Sequence, residues 1–465
     1  MNSSMNSFKT SYLSRLLAVA VTLQLLVPIS NADPFPNWVF SKKATASDEA
    51  ENDWFGRAVA VEGDIGLVGA TGKDGIGSDS GAVYVINTKT EEELFKLTAS
   101  NAATENFFGT SVAISETKAI VTATGSNDFA GSAYLFDITT GIELDILVPS
   151  VVEADAFFGN SCDMEGNYVI VGAPFEDNGG TDRGVAYVFD VTTGNELLRL
   201  IAPDGSNSDL FGRSVAISGN YAIVGAPNAT TDDEFTGKVY VFDLSAGGAF
   251  LYSPIPSVLE DLAEFGISVA ARGDRLVVGA EDENAGGNDY GAAYLFELST
   301  RTELKRLVSN EPTDNGKFGD SVAMSGDLIV VGARDENAGG NDRGAAHIYS
   351  ASDGSFLQRV TAPDGEDRDD FGVSVAATND YVIVGARFED SDLLFERGAV
   401  YVFKGTTLPP AAISRCNTVL KTKFLKKAKK LKKKAKAAKK NGKVAKAEKL
   451  KKKAKKLIKR ANALC

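Results

Sequence analysis

The sequence predicts an all-β chain, a seven-bladed β-propeller of four-stranded blades, followed by a C-terminal α-helical hairpin. Two observations carry this. A Phe-Gly pair recurs at Phe55, Phe108, Phe158, Phe211, Phe265, Phe318 and Phe371, at intervals of 53, 50, 53, 54, 53 and 53 residues. A period of that length marks stacked copies of one supersecondary unit. Beyond the last copy the charge inverts: residues 411–465 carry 23 Lys and Arg against the acid Glu448, whereas residues 33–410 carry 24 against 61. The net charge of −13 over 465 residues therefore averages a propeller near −37 and a tail of +22. Partners must be considered for each region separately.

Composition sets further bounds. A hydrophobic fraction of 43% argues against wholesale disorder. Three cysteines without a Cys-x-x-Cys pair argue against a disulfide-built scaffold and a structural zinc site. One histidine removes most zinc enzymes and makes any Ser-His-Asp machinery depend on His347.

Residues 1–32 read as a signal peptide. Lys9 and Arg15 precede an apolar run from Leu16 to Ile29, which ends in the small-residue site Ser30-Asn31-Ala32. About 15 apolar residues are short for a bilayer span. Removal would leave Asp33 first and no membrane span, so the expected location is secreted or cell surface.

Residues 33–404 hold the propeller. In the copy Phe211-Gly-Arg-Ser-Val-Ala-Ile-Ser-Gly-Asn-Tyr-Ala-Ile-Val-Gly-Ala-Pro227, Ser214–Ser218 alternates as a half-buried strand and Gly219-Asn220 makes a tight turn. Tyr221–Ala226 is a second strand, and Lys238–Asp243, rich in β-branched and aromatic residues, a third. A fourth is clearest at Glu196–Ala202. The last repeat stops after its third strand, at Tyr401-Val-Phe403, while the segment 38–46 resembles Phe356–Ala362. That amino-terminal strand is expected to complete blade seven and close the ring.

Phe-Gly followed some 13 residues on by Val-Gly-Ala-Pro (171–174, 224–227) resembles the FG-GAP repeat of integrin α-chain N-terminal-like β-propellers. The other copies end in Gly-Ala-Thr, Thr-Ala-Thr, Gly-Ala-Glu and Gly-Ala-Arg. The resemblance implies a propeller used in recognition or cell adhesion. One departure matters. Integrin-type repeats carry a calcium loop between the first two strands, whereas here that connection is a turn such as Ser218-Gly-Asn220 or Glu62-Gly-Asp64. Six or more oxygen ligands cannot be gathered from it.

Acidity instead concentrates in the loops between strands two and three and between blades. Hard oxygen donors with intervening glycines suit calcium, which nominates Asp282, Asn284 and Asp289, and likewise Asp335, Asn337 and Asp342. Asp177, Asp182, Asp364 and Asp367 are nominated as ligand-binding residues on the same rim. The competing reading is that Asp, Asn and Gly are turn formers on a solvated rim. The opposite turns read as mostly uncharged. Arg272-Gly-Asp274 has a hairpin glycine, His347 fills a slot held by tyrosine elsewhere, and Cys162 replaces a valine as a buried small hydrophobe. Asn228-Ala-Thr230 spells a glycosylation acceptor on an exposed loop.

After a linker, 405–412, residues 413–465 are dominated by the helix formers Ala, Leu and Lys. Apolar positions step by three and four on either side of Asn441-Gly442, which supplies the turn of a helical hairpin. Folding there brings Cys416 near Cys465, and an exported protein would join them in a disulfide worth about 4 kcal/mol. The region 415–460 is a polycation suited to an anionic polysaccharide or another cell-surface polyanion, or to docking on the acidic propeller. Export argues against nucleic acid. The reading is an exported, non-enzymatic recognition or adhesion protein that binds protein or glycan through rim loops. The alternative is a polysaccharide-active lyase or hydrolase, which would need two carboxylates facing one pocket.

Overall fold

A computed structural model describes residues 37–405 apart from 91, 232–233, 259, 285–287 and 392–393. The signal segment, the linker beyond 405, the lysine-rich hairpin and the Cys416–Cys465 bridge lie outside the described residues.

Seven four-stranded antiparallel sheets repeat one design. The first blade is β2 (Phe55–Glu62), β3 (Ile65–Ala70), β4 (Ala82–Asn87) and β5 (Glu92–Leu97). Blades two to six open with β6 (Phe108–Ser115), β10 (Ser161–Glu165), β14 (Ser214–Ser218), β18 (Val269–Arg272) and β22 (Phe318–Met324). The seventh runs β26 (Ser374–Ala377), β27 (Tyr381–Ala386), β28 (Ala399–Gly405), and then β1 (Trp38–Ala44) from the other end of the chain. Phe40 pairs with Phe403 in that splice, and Trp38 exchanges backbone hydrogen bonds with the Gln358 amide of blade six. The sequence reading of seven blades with four strands each holds.

Burial follows from how the blades face one another. The middle strands are covered on both faces, so β3 and β4 are buried throughout and read as continuous apolar runs. The outermost strand β5 is exposed at Glu92 and Glu93 and buried only at Leu97. Each core lies between blades: Leu67, Val83 and Val85 of blade one pack with Phe108, Val121 and Tyr134 of blade two.

The Phe-Gly pair laces this assembly. Each Phe N–H donates to a carbonyl of the preceding blade, from Phe158 to Ala130 at 3.0 Å and, across the closure, from Phe55 to Arg397 at 3.0 Å. The Phe ring packs edge-on against the third-strand tyrosine of its own blade, as Phe108 does on Tyr134 at 5.4 Å between centroids. The glycine is required twice over. Gly109 has φ +99°, and a Cβ there would sit 2.8 Å from the Ala82 carbonyl; a Cβ on Gly69 of the neighbouring blade would sit 2.3 Å from the Gly109 carbonyl.

Several sequence readings need correction. Cys162 is half-buried on the channel wall, its sulfur 3.3 Å from the Ser111 hydroxyl of the preceding blade. Asn228 and Thr230 are half-buried in a loop whose Glu234 and Phe235 are exposed, so the acceptor is only partly accessible. Acidity is not confined to one rim either. Asp190 and Asp243 sit in the opposite turns, where Asp190 accepts the Thr192 and Thr193 N–H groups at 2.8 Å. Gly273, with φ +59°, is the hairpin glycine expected of Arg272-Gly-Asp274.

Candidate functional site

Many rim acids are consumed by the blades. The third-strand tyrosine of blade three donates to Glu176 at 2.7 Å, and Arg199 of the outermost strand reaches the same carboxylate at 2.6 Å. The pattern recurs at Tyr294, Glu283 and Arg306 in blade five, while in blade four Tyr240 and Lys238 of one strand share Asp204 from the loop between blades. In blade six His347 takes the tyrosine's place, 2.9 Å from Glu336, which Arg359 holds at 2.6 Å. This His is fully buried against Phe318, as the slot argument expects.

The nominated ligand residues are partly drawn into these networks. Asp364 accepts from Tyr401 at 2.9 Å and pairs with Lys43 at 2.8 Å. Asp367 pairs with Arg343 at 3.0 Å. Asp177 accepts the Asp182 N–H at 3.1 Å inside its own loop.

Of the nominated metal ligands, Asp282 pairs with Lys317, and Asp335 lies 3.5 Å from Arg334. The Asn337 side chain accepts the Asp342 N–H at 3.0 Å, while Asn284 donates its N–H to Glu260 at 2.8 Å. Asp289 and Asp342 share a left-handed backbone, φ 48° and 52°. Among the described residues no three His, Cys, Asp or Glu side chains gather in a way that could hold a metal ion.

The central channel is narrow, with about 230 Å³ of space lined by the first strands of all seven blades. Its wall is mostly Val and Ala, interrupted by Asp163, Glu165 and Arg272. Asp163 accepts the Ile217 N–H at 2.8 Å, and desolvation pushes its carboxyl up to about 6.

At the Phe-Gly end the channel opens into a differently built mouth. The residue before each Phe-Gly is left-handed: Trp54, Phe107, Phe157, Leu210, Glu264, Lys317 and Asp370 have φ between 52° and 57°. Non-glycine residues hold that conformation only when their surroundings enforce it. Here an inter-blade hydrogen bond does so, such as Phe157 N–H to the Phe129 carbonyl at 2.9 Å.

Blades one to three place half-buried aromatic rings at this position. Phe107, Phe129, Phe157 and Phe175 form a continuous arc with centroids 5.2–6.4 Å apart, and Trp54 packs edge-on against Phe388. A cavity of about 310 Å³ opens among Trp54, Phe107, Phe157 and Phe388, floored by Thr110, Thr124 and Asn160. Arg57 and Arg387 also line it. Arg387 pairs with Asp370 at 2.9 Å and covers the Phe388 ring at 4.4 Å. Arg57 makes no side-chain hydrogen bond or ion pair among the described residues. Desolvation, then repulsion from Arg387 and Arg213, pulls its pKa down to about 10.

Blades five to seven fill the same positions with ions. Arg334 bridges Glu281, Asp320 and Asp335, and Lys317 holds Asp282. The Glu281 carboxyl is pushed up to about 8 by desolvation and by Asp320, against the pull of Arg334.

The acidic loops do not mark this mouth in the sequence. Its signal lay beside the repeat marker itself, in aromatic residues preceding Phe-Gly in three consecutive copies and in Arg57 and Arg213 following it. No helix among the described residues is long and apolar enough to cross a membrane. No curated protein matches the chain. The repeats themselves match the family described as FG-GAP repeat over residues 38–86, 92–136, 143–189, 195–242, 255–296, 302–349 and 355–403. With the Phe-Gly pairs lacing seven blades into a closed ring, this chain belongs to the FG-GAP repeat family.

Proposed function

We propose that this protein is an exported, non-enzymatic recognition module that binds an extracellular protein or glycan on the face carrying the channel mouth. The observation that carries the reading is the cavity of half-buried aromatic rings flanked by arginine at the mouth. Half-exposed rings grouped in a concavity are what a binding site needs, whereas the acid-rich loops around them are largely committed to holding the blades together. The test is a glycan and matrix-protein binding screen with the full chain. Specific capture weakened at least tenfold by Trp54→Ala supports the reading, and no specific ligand ends it.

A second reading, a polysaccharide-active lyase or hydrolase, is favoured by one feature. Glu281 and Asp320 lie together under Arg334, and the raised Glu281 would hold a proton for transfer at neutral pH. Product release from acidic or neutral polysaccharides that is lost in Glu281→Gln would support it.

Two further assignments are separate proposals. The lysine-rich region 415–460 binds a polyanionic surface, tested by retention on immobilised heparin in moderate salt and its loss on deletion of the region. Calcium binds at Asp335, Asn337 and Asp342 or at Asp282, Asn284 and Asp289, tested by calorimetry; no heat and no melting shift would end that idea.

A further inference from the structure

We infer that the mouth cavity takes a carboxylate-bearing sugar, its ring face stacked on Trp54, Phe107 or Phe157 and its carboxylate on Arg57. This rests on the recognition reading and names its ligand class. Three observations converge on it.

The first is the charge of Arg57. Arg57 is half-buried as a residue, but its guanidinium is desolvated at the cavity wall without a hydrogen-bonding partner among the described residues, and its charged neighbours include Arg387 and Arg213. Asp320, the acid nearby, is already held by Arg334. A desolvated cation repelled by its neighbours is stabilised by an incoming anion, and the planar guanidinium matches a carboxylate with two parallel hydrogen bonds.

The second is the aromatic lining. Trp54, Phe107 and Phe157 approach the cavity from consecutive blades, and their ring faces carry negative charge density. The C–H face of a pyranose presents the complementary positive edge, so a flat sugar ring stacks there. The third is the floor. The Thr110 hydroxyl donates to the Phe107 carbonyl at 2.8 Å and stands 3.2 Å from the Thr124 hydroxyl, and Asn160 spends its amide N–H on the Arg213 carbonyl, leaving its carbonyl side for a hydroxyl donor. Neutral acceptors of this kind pair with sugar hydroxyls. An acidic peptide would bring the carboxylate but not the flat C–H ring face that the aromatic lining stacks on.

The volume, about 310 Å³, lies at the small end of ligand pockets and suits one or two sugar rings. The sequence has two tryptophans, and they make the test direct: Trp38 is 2% exposed in the blade-seven closure, so Trp54 is the one a ligand at the mouth would touch.

The experiment titrates the full chain with trigalacturonate in moderate salt while following tryptophan emission. Its methyl ester and penta-aspartate are the comparison probes. A saturable emission change is expected with trigalacturonate. Binding should weaken about ten- to a hundredfold for the ester and for Arg57→Leu, as loss of a charged hydrogen-bonding pair predicts. Trp54→Phe should lose the signal while calorimetry still reports binding. Deleting 413–465 should leave the emission change in place, which separates the mouth from the polycationic tail. Equal binding of the ester, preference for penta-aspartate, an unaltered Arg57→Leu, or no response to trigalacturonate would each overturn the assignment. None of these outcomes touches the broader recognition reading, which fails only if the screen finds no specific ligand.

Discussion

On blades one to three the left-handed residue ahead of the Phe-Gly pair is Trp54, Phe107 or Phe157; on blades five to seven it is Glu264, Lys317 or Asp370. The backbone angles agree within a few degrees, yet one half of the mouth is an aromatic cup and the other an ion-pair network. The contrast teaches that the repeat fixes where a side chain is presented but not its chemistry. In the ionic half the charges satisfy one another. In the aromatic half Arg57 is left for an outside partner.

The shared backbone gives the largest expected effect. Gly109→Val in the aromatic half and Gly319→Val in the ionic half should each cost more than about 3 kcal/mol, since both glycines have φ near +100° and would press a Cβ into a backbone carbonyl. Urea unfolding measures both. A loss below about 1 kcal/mol in either would break the claim of a common frame.

Next in size is the contrast between two arginines. Arg334→Leu strips the partner from Glu281 and Asp320 and should cost about 2–4 kcal/mol. Arg57→Leu removes a repelled cation and should change stability by less than about 0.5 kcal/mol or raise it. Equal losses in the two melting curves would erase the distinction between the halves.

The pH dependence sharpens it further. The Glu281 carboxyl is raised from 4.5 to about 8, so the folded state keeps a proton that the unfolded chain has already released. Its contribution to stability is full below about 4.5 and falls as pH rises toward 8. The stability of Glu281→Gln relative to the parent should therefore grow across that window. A flat difference would remove Glu281 as a buried proton holder. A modest effect is expected from Phe107→Ala, about 1 kcal/mol for a half-buried ring at a solvent-facing cavity, with no pH dependence across the same window.

Much of the frame was legible along the chain. The spacing of Phe-Gly gave the number of blades, and the missing fourth strand after Phe403 pointed to Trp38–Ala44 as its replacement. The slot occupied by His347 could be read by aligning it with Tyr187 and Tyr240. The site was less legible. Asp364 looked like a rim ligand because its loop is rich in acids, but Lys43, 321 residues away in sequence, reaches it through the ring closure. Cys162 takes the place of valines such as Val215, and only the structure leaves it half-buried on the channel wall beside the Ser111 hydroxyl.

What the sequence by itself determined is periodic and local: seven units, their strands and turns, and the glycines that let blades touch, because spacing and residue type act within one copy or between adjacent copies. What only the tertiary structure decided is which charges cancel. Coulomb attraction and desolvation depend on distance in space. A ring closed on itself brings Trp54 against Phe388 and Arg57 near Arg387, groups that no local pattern places together.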